Sequence, residues 1–406
     1  MSISNEKTST RSNSMIWFGA AVSIAEIFTG TLIAPLGFQN GLLAILLGHL
    51  IGCSLLLLAG WIGGQTGLNA METVKRCFGK KGGLLFCILN VLQLIGWTVI
   101  MIRSGADAAV TILPSFAPVI FIFLIGILIV VWLLVGISRL EKLGTVAAIL
   151  LFILCLVLSA VLFTKNSSVL PNSSMSFGAA VELSAIMPIS WLPLISDYTS
   201  TAQKPKTASV MSCISYFLSS SWMYLIGLQA VLVTGESSVE RVMLQAGMGI
   251  FSLLVIILST VTTTFMDAYS AGVSFVSISS RWSGKIYAIF ICVLATGIAV
   301  FFPLERYEDF LYLIGSVFAP MSAVLIVDHF ASRRERKPEN FRFANLLLWV
   351  LGFIGYRILL GMDTPIGSTL PAMIGTAVLA LIVYMLEKSF RSYQQTKRYR
   401  GDVDVV

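Results

Sequence analysis

Apolar runs of about twenty residues, separated by short polar or basic segments, recur along this chain. A bilayer core demands about 20 mainly apolar residues per spanning helix. Runs of that length lie at 15–35, 38–60, 83–104, 117–137, 143–163, 176–198, 208–234, 246–276, 284–303, 309–328, 343–361 and 367–386. The pattern predicts twelve spanning helices, the eighth long enough to tilt or to run beyond the bilayer. No stretch is left for a soluble domain, a low-complexity tract or a heptad array. The expected fold is all-α integral membrane, a single transmembrane domain over 1–406 with polar tails at 1–14 and 387–406.

Charge tests the count. If both termini face the cytoplasm, all but Arg103, Lys165, Arg241, Arg306 and Arg357 of the 27 lysines and arginines fall on the cytoplasmic side. That is the positive-inside asymmetry, and a missed span would scramble it. The expected location is the cell's inner (plasma) membrane. Hydrophobic residues make up 57% of the chain and charged ones 12%, against about a quarter charged in soluble proteins. The net charge of +7 lies in short loops, so nucleic acid is not an expected partner. Of the six cysteines, five sit in apolar runs and Cys77 in a basic loop, with no paired spacing; free packing thiols are expected. The first fourteen residues lack an apolar leader core, so the first span is expected to start insertion itself. There is no phosphate-binding GxxxxGK[ST] and no HExxH, so neither an ATPase engine nor a zinc enzyme is expected. The chain reads as no enzyme.

Ionisable side chains within hydrocarbon are costly and usually functional. Glu26 lies in the first span, Glu182 in the sixth and Asp267 in the eighth, with Asp197 closing the sixth. Arg103 and Asp107 lie near the outer end of the third, where snorkelling suffices. Glu26 is about half-way along its span, followed by Gly30 and Pro35. The sixth span reads Met187-Pro-Ile-Ser-Trp-Leu-Pro193, and each proline removes a backbone donor. Both are candidate broken helices, whose freed backbone groups can hold an ion or a solute; for the sixth, a plain kink is an equal alternative. Five spans separate their starts. A repeat of 15–163 by 176–328 must therefore be inverted, leaving 343–386 as two additional helices. Interrupted helices at matching places of inverted halves point to a transporter's binding site.

The eighth span carries Ser259-Thr-Val-Thr-Thr-Thr-Phe-Met-Asp267, which puts Thr260, Thr263 and Asp267 on one face with Ser259 and Thr262 flanking it. Hydroxyls in that density suit a hard cation such as sodium. The third span sets Asn90, Gln93 and Trp97 on one stripe. Amides read donors and acceptors of a heterocycle and an indole stacks on its ring; interhelical bonding and packing explain the stripe equally well. Glu182 is open to three readings: a gate, a proton site or a partly wetted end. His49 reads as a hydrogen-bonded packing residue.

These residues resemble the nucleobase:cation symporter-1 family, which includes cytosine permeases and the hydantoin transporter. The likeness covers nearly the whole chain. Thr262-Thr-Thr-Phe-Met-Asp-Ala-Tyr-Ser-Ala-Gly272 is similar to the cytosine-permease pattern TTNDNNLYSAG. Val327-Asp-His-Phe330 before a basic loop, the Gln93/Trp97 pair and Asp197-Tyr198 match further family motifs. The resemblance implies a five-plus-five inverted-repeat core of the leucine-transporter type, with two C-terminal helices. It also implies that Trp97 stacks on a base, Gln93 bonds its edge and Asp267 contacts the substrate. Thr262 and Thr263 would be sodium ligands, helped by Ser259 and by the backbone near Ser23. With Glu26, Asn90, Ser190 and Trp191 added, the expected substrate set is Glu26, Asn90, Gln93, Trp97, Ser190, Trp191 and Asp267.

The departures carry the substrate expectation. Asp stands where the cytosine permeases have Asn, and Glu26 where they lack an acid. Two acceptor carboxylates suit an amino-substituted pyrimidine better than uracil, which presents carbonyls. This is similar to the hydroxymethylpyrimidine (thiamine-precursor) branch, which implies import of 4-amino-5-hydroxymethyl-2-methylpyrimidine by symport with Na+ or H+. Cytosine, purine or another nucleobase on the same fold is the alternative, and a non-transporting membrane receptor the reading from another class. No cofactor is expected beyond the coupling ion, and the chain is expected to work as a monomer in the lipid bilayer.

Overall fold

The computed structural model describes residues 7–135, 137–164, 174–235, 241, 249–331 and 339–403; for 137–145, 147–148, 249–255, 258–259 and 390–403 it describes the backbone alone. The architecture is all helical. The first span is two helices, α1 (Thr10–Ala21) and α2 (Ile24–Leu32), bent by 51°. Then come α3 (Gly37–Thr66), the short α4 (Ala70–Phe78), α5 (Gly82–Ile112), α6 (Pro118–Val135) and α7 (Ile137–Phe163). The second half holds α8 (Phe177–Ser190), α9 (Leu192–Thr199), α10 (Pro205–Thr234), α11 (Gly249–Val276), α12 (Gly284–Ala299) and α13 (Tyr307–Phe330). Finally, α14 (Phe343–Leu360) and α15 (Thr369–Val403) close the chain.

Among the described residues, eight helices are long and apolar enough to cross a membrane, and the bent first pair makes a ninth. The helices α7, α11 and α12 stand where the sequence places spans five, eight and nine, so the twelve-span reading is consistent with the structure. The lipid-facing character is plain on α6, whose mean hydropathy is 3.2 and whose Ile120, Phe123 and Ile127 are at least half exposed. An apolar surface of that extent belongs in hydrocarbon.

The sequence pattern missed α4. Asn69 caps it through the Glu72 amide at 2.8 Å, and Met71, Val74, Cys77 and Phe78 form its buried face. Cys77 thus sits buried on a helix rather than in a basic loop. All six cysteines are buried thiols outside any disulfide. At the other end, α15 continues through the basic tail to Val403.

Small residues set the centre of the bundle. α3 packs along α8 and α9, and a Cβ on Gly63 would lie 2.7 Å from the Ser196 Cα. Ser196 and Thr199 hydroxyls donate to the α3 carbonyls of Ala59 and Gly60 at 2.9 and 2.7 Å. Close approach of this kind is how membrane helices associate without a hydrophobic driving force. α10 packs against α1, α2 and α3, and α11 against α5 and α12. The broken pairs α1–α2 and α8–α9 are held between these layers.

Candidate functional site

The break in the first span is written as a helix cap. Ser23 takes an extended conformation (φ −139°, ψ 158°) and its hydroxyl accepts the Glu26 amide. Ser23-Ile-Ala-Glu26 is a capping-box sequence. The Glu26 side chain, however, does not turn back to Ser23. Its Oε1 accepts from the Tyr216 hydroxyl at 2.6 Å and its Oε2 from the Ser220 hydroxyl at 2.7 Å. Both partners lie on α10. The Ser23 hydroxyl is thus the cap of α2.

The sixth span breaks more gently. α8 ends at Ser190 with Pro188 inside it, and α9 begins after Trp191 with Pro193 in its first turn. The Trp191 indole N–H donates to the Tyr216 hydroxyl at 3.1 Å. Gln93 on α5 braces the break, since its Nε2 donates to the Ser190 carbonyl at 2.9 Å and to Asn90 Oδ1 at 3.0 Å. Two acceptors fix that amide's orientation. They leave Gln93 Oε1 buried without a partner.

A cavity lies between these elements. Ser23 and Glu26 line it from α2, Trp97 and Met101 from α5, Met187, Ser190 and Trp191 from the second break, and Thr263 and Asp267 from α11. These are spans one, three, six and eight. Of the expected substrate set, Glu26, Trp97, Ser190, Trp191 and Asp267 line the cavity; Asn90 and Gln93 do not. Asn90 instead donates to Ser274 Oγ at 2.9 Å, tying α5 to α11. Thr263 of the expected sodium set faces the cavity. Thr260 packs on Gly105, whose added Cβ would stand 3.0 Å from the threonine methyl. Thr262 is half-buried, and the Ser259 side chain lies outside the described residues.

Asp267 differs from the other acids. It is 6% exposed, it lines the cavity, and among the described residues no hydrogen bond reaches its carboxylate. Aromatic rings close on the cavity from two sides. Toward α1, Trp17 meets Trp191, Tyr198 and Tyr216 edge-on at 5.5–6.0 Å between centroids. On the other side Trp97 meets Tyr307 at 6.1 Å and Phe310 at 5.5 Å, both of α13. Tyr307 is further held by the Thr29 hydroxyl of α2 at 2.7 Å.

Two comparisons decide the family. Residues 3–341 match the family model described as permease for cytosine/purines, uracil, thiamine, allantoin. The chain belongs to that family. The cytosine permease of Escherichia coli K12 is 25% identical over 346 residues, covering 82% of this chain and 80% of the relative. The vitamin B6 transporter TPN1 of Saccharomyces cerevisiae is 21% identical over 362 residues, 81% of this chain and 61% of the relative. The fold is that of Mhp1, a nucleobase-cation-symport-1 transporter solved closed with bromovinylhydantoin bound. There the TM-score is 0.78 at 18% identity, over 96% of this chain and 94% of that one. A Na+-coupled sialic acid symporter shares the fold at TM-score 0.65 and 14% identity, over 91% and 89% of the two chains. This permease is thus a multi-pass membrane transporter of the leucine-transporter-like fold, and not an enzyme.

The remaining acids of the permease have other work. Glu182 is buried rather than partly wetted. Its Oε2 accepts the Ser368 and Thr369 amides at 2.7 Å each, and its Oε1 accepts Thr369 Oγ1 at 2.6 Å and the Tyr356 hydroxyl. That pins α8 to the first turn of α15. Asp197 Oδ1 accepts the Ala70 amide at 2.8 Å, docking α9 on the start of α4. Asp328 meets Tyr384 at 3.2 Å and Arg342 at 3.7 Å. The reading of single spans overlooked Tyr216 and Ser220. The signal was a polar run, Ser219-Ser-Ser221, one turn beyond a tyrosine in an otherwise apolar span.

Proposed function

We propose that this permease imports an amino-substituted pyrimidine across the plasma membrane in symport with a cation, both termini cytoplasmic and the single chain sufficient. The substrate that fits best is 4-amino-5-hydroxymethyl-2-methylpyrimidine. Asp267 carries the reading: a cavity-lining carboxyl group that no donor reaches among the described residues asks for a ligand that brings N–H groups. An exocyclic amine brings them and uracil's carbonyls do not. Cytosine, for which the E. coli relative is named, shares that amine. The Ser190 hydroxyl donates to the Met187 carbonyl at 2.7 Å, so it offers lone pairs to the cavity and suits a hydroxymethyl O–H. Glu26 already has a protein partner at each oxygen, Tyr216 and Ser220, so Asp267 is the acceptor left to the substrate. Sodium or a proton is the coupling ion, with the Thr263 hydroxyl on the cavity wall as one oxygen available to sodium.

Uptake of labelled hydroxymethylpyrimidine into vesicles, with and without a sodium gradient, tests the proposal. Failure to take up any aminopyrimidine would overturn it. Trp97 is the stacking face. Trp97→Ala is expected to weaken binding by about 1–3 kcal/mol, the usual worth of one base–aromatic stack, with Trp97→Phe retaining most of it. Equal binding by all three proteins would remove Trp97 from the site.

A further inference from the structure

Glu26 does not stand alone. Ser220 Oγ, which lies 2.7 Å from Glu26 Oε2, also lies 2.6 Å from His49 Nε2 on α3. The other ring nitrogen, Nδ1, is 2.9 Å from the Ile45 carbonyl. The three side chains are 2%, 0% and 0% exposed.

Counting hydrogens fixes how many protons this row holds. A carbonyl only accepts, so Nδ1 carries a hydrogen. The Trp191 indole only donates, so the Tyr216 oxygen accepts from it and gives its own hydrogen to Glu26 Oε1. Any proton on Glu26 therefore sits on Oε2, facing Ser220. Two contacts of 2.6–2.7 Å run from Oε2 through the serine oxygen to Nε2, and each needs one hydrogen. The serine supplies one. The second must be added, either on Oε2 with a neutral imidazole or on Nε2 with a carboxylate. The two forms interconvert by shifting both hydrogens along the row, and each has the same net charge of zero. Without the added proton, two lone pairs compete for one hydroxyl and one contact is lost.

We infer that Glu26, Ser220 and His49 form a proton-binding site and that the proton held there is the coupling ion; this rests on the symport reading above. The site joins α2, α3 and α10, and Glu26 also lines the substrate cavity. Substrate and proton thereby act on the same broken helix, which is the physical basis for reciprocal coupling. The other titratable groups facing it are the Cys53 thiol of α3, the Cys213 thiol and the Tyr216 and Tyr224 hydroxyls of α10, and Tyr307 of α13. Asp267 of α11 borders the same cavity. Among the described residues no lysine or arginine pairs with Glu26.

Glu26→Gln is the decisive variant. Its amide accepts from Tyr216 and donates to Ser220, copying the proton-loaded form without a removable proton. In liposomes holding the purified full chain, an imposed pH gradient without sodium is expected to drive hydroxymethylpyrimidine accumulation and proton entry by the wild type. Glu26→Gln is expected to lose both, and Ser220→Ala, whose side chain does not line the cavity, to lose accumulation by severing the row while still exchanging substrate in counterflow. Accumulation by Glu26→Gln equal to wild type, or no pH-driven accumulation by a wild type that exchanges substrate, would overturn the inference. A second readout needs no substrate, so it separates this failure from a wrong substrate. Infrared spectra of the wild type and Glu26→Gln, with ¹⁵N spectra of His49, are expected to show either a carboxylic acid with neutral imidazole or a carboxylate with imidazolium. A carboxylate beside a neutral His49 at neutral pH would contradict the site.

Discussion

Asp267→Asn is expected to weaken aminopyrimidine binding by about 1.5–3 kcal/mol, roughly 10- to 150-fold, the worth of a hydrogen bond to a charged group. The shape of the side chain is kept, but one acceptor oxygen becomes a donor N–H₂, which then faces the ligand's own donors. The same change is expected to leave the fold intact. Among the described residues Asp267 makes no hydrogen bond that the amide would break. Equilibrium binding to the purified variant checks the first expectation and thermal unfolding the second. Unchanged affinity would take Asp267 out of substrate recognition. Loss of folding would show it to be structural.

The largest effect on stability is expected at Glu182, which touches no part of the cavity. Its carboxylate receives four donors, two of them backbone N–H groups at the first turn of α15. A helix start leaves such groups without intrahelical partners, and membrane interior offers no water to replace them. Glu182→Ala orphans all four, each at about 1–3 kcal/mol. Glu182→Gln keeps one oxygen and turns N–H₂ toward donors, so it is expected to be nearly as damaging. Both variants should unfold well below the wild type in detergent, with substrate affinity unchanged in whatever fraction remains folded. An unchanged unfolding midpoint for Glu182→Gln would mean that α8 is not anchored to α15 through this residue.

The contrast between these two acids shows what sequence reveals in such a protein. Span positions were legible because hydropathy and charge alternate at the scale of the bilayer. The four spans around the cavity were legible because breaks and polar stripes are local features. Partners were not. Glu26, Glu182 and Asp267 look alike in the chain: single acids in apolar runs. They are told apart only by what distant segments bring, Tyr216 and Ser220 to the first, residues 356–369 to the second, and nothing from the described residues to the third. Asn90 shows the reverse case. It shares a stripe with Trp97, yet a serine on α11 takes its amide. The short α4 escaped because its nine residues are too few to register at the scale of a span, although its Asn69 cap and apolar face were readable.

The claim that a free carboxylate selects an amine-bearing pyrimidine is tested most directly by thermal unfolding of the purified wild type against matched ligands. A ligand that binds only the folded state raises its stability in proportion to affinity and concentration. Hydroxymethylpyrimidine is expected to raise the unfolding midpoint, cytosine to raise it less and uracil to leave it unchanged, with the ordering abolished in Asp267→Asn. Stabilisation by uracil equal to or above that by the aminopyrimidines would contradict the account.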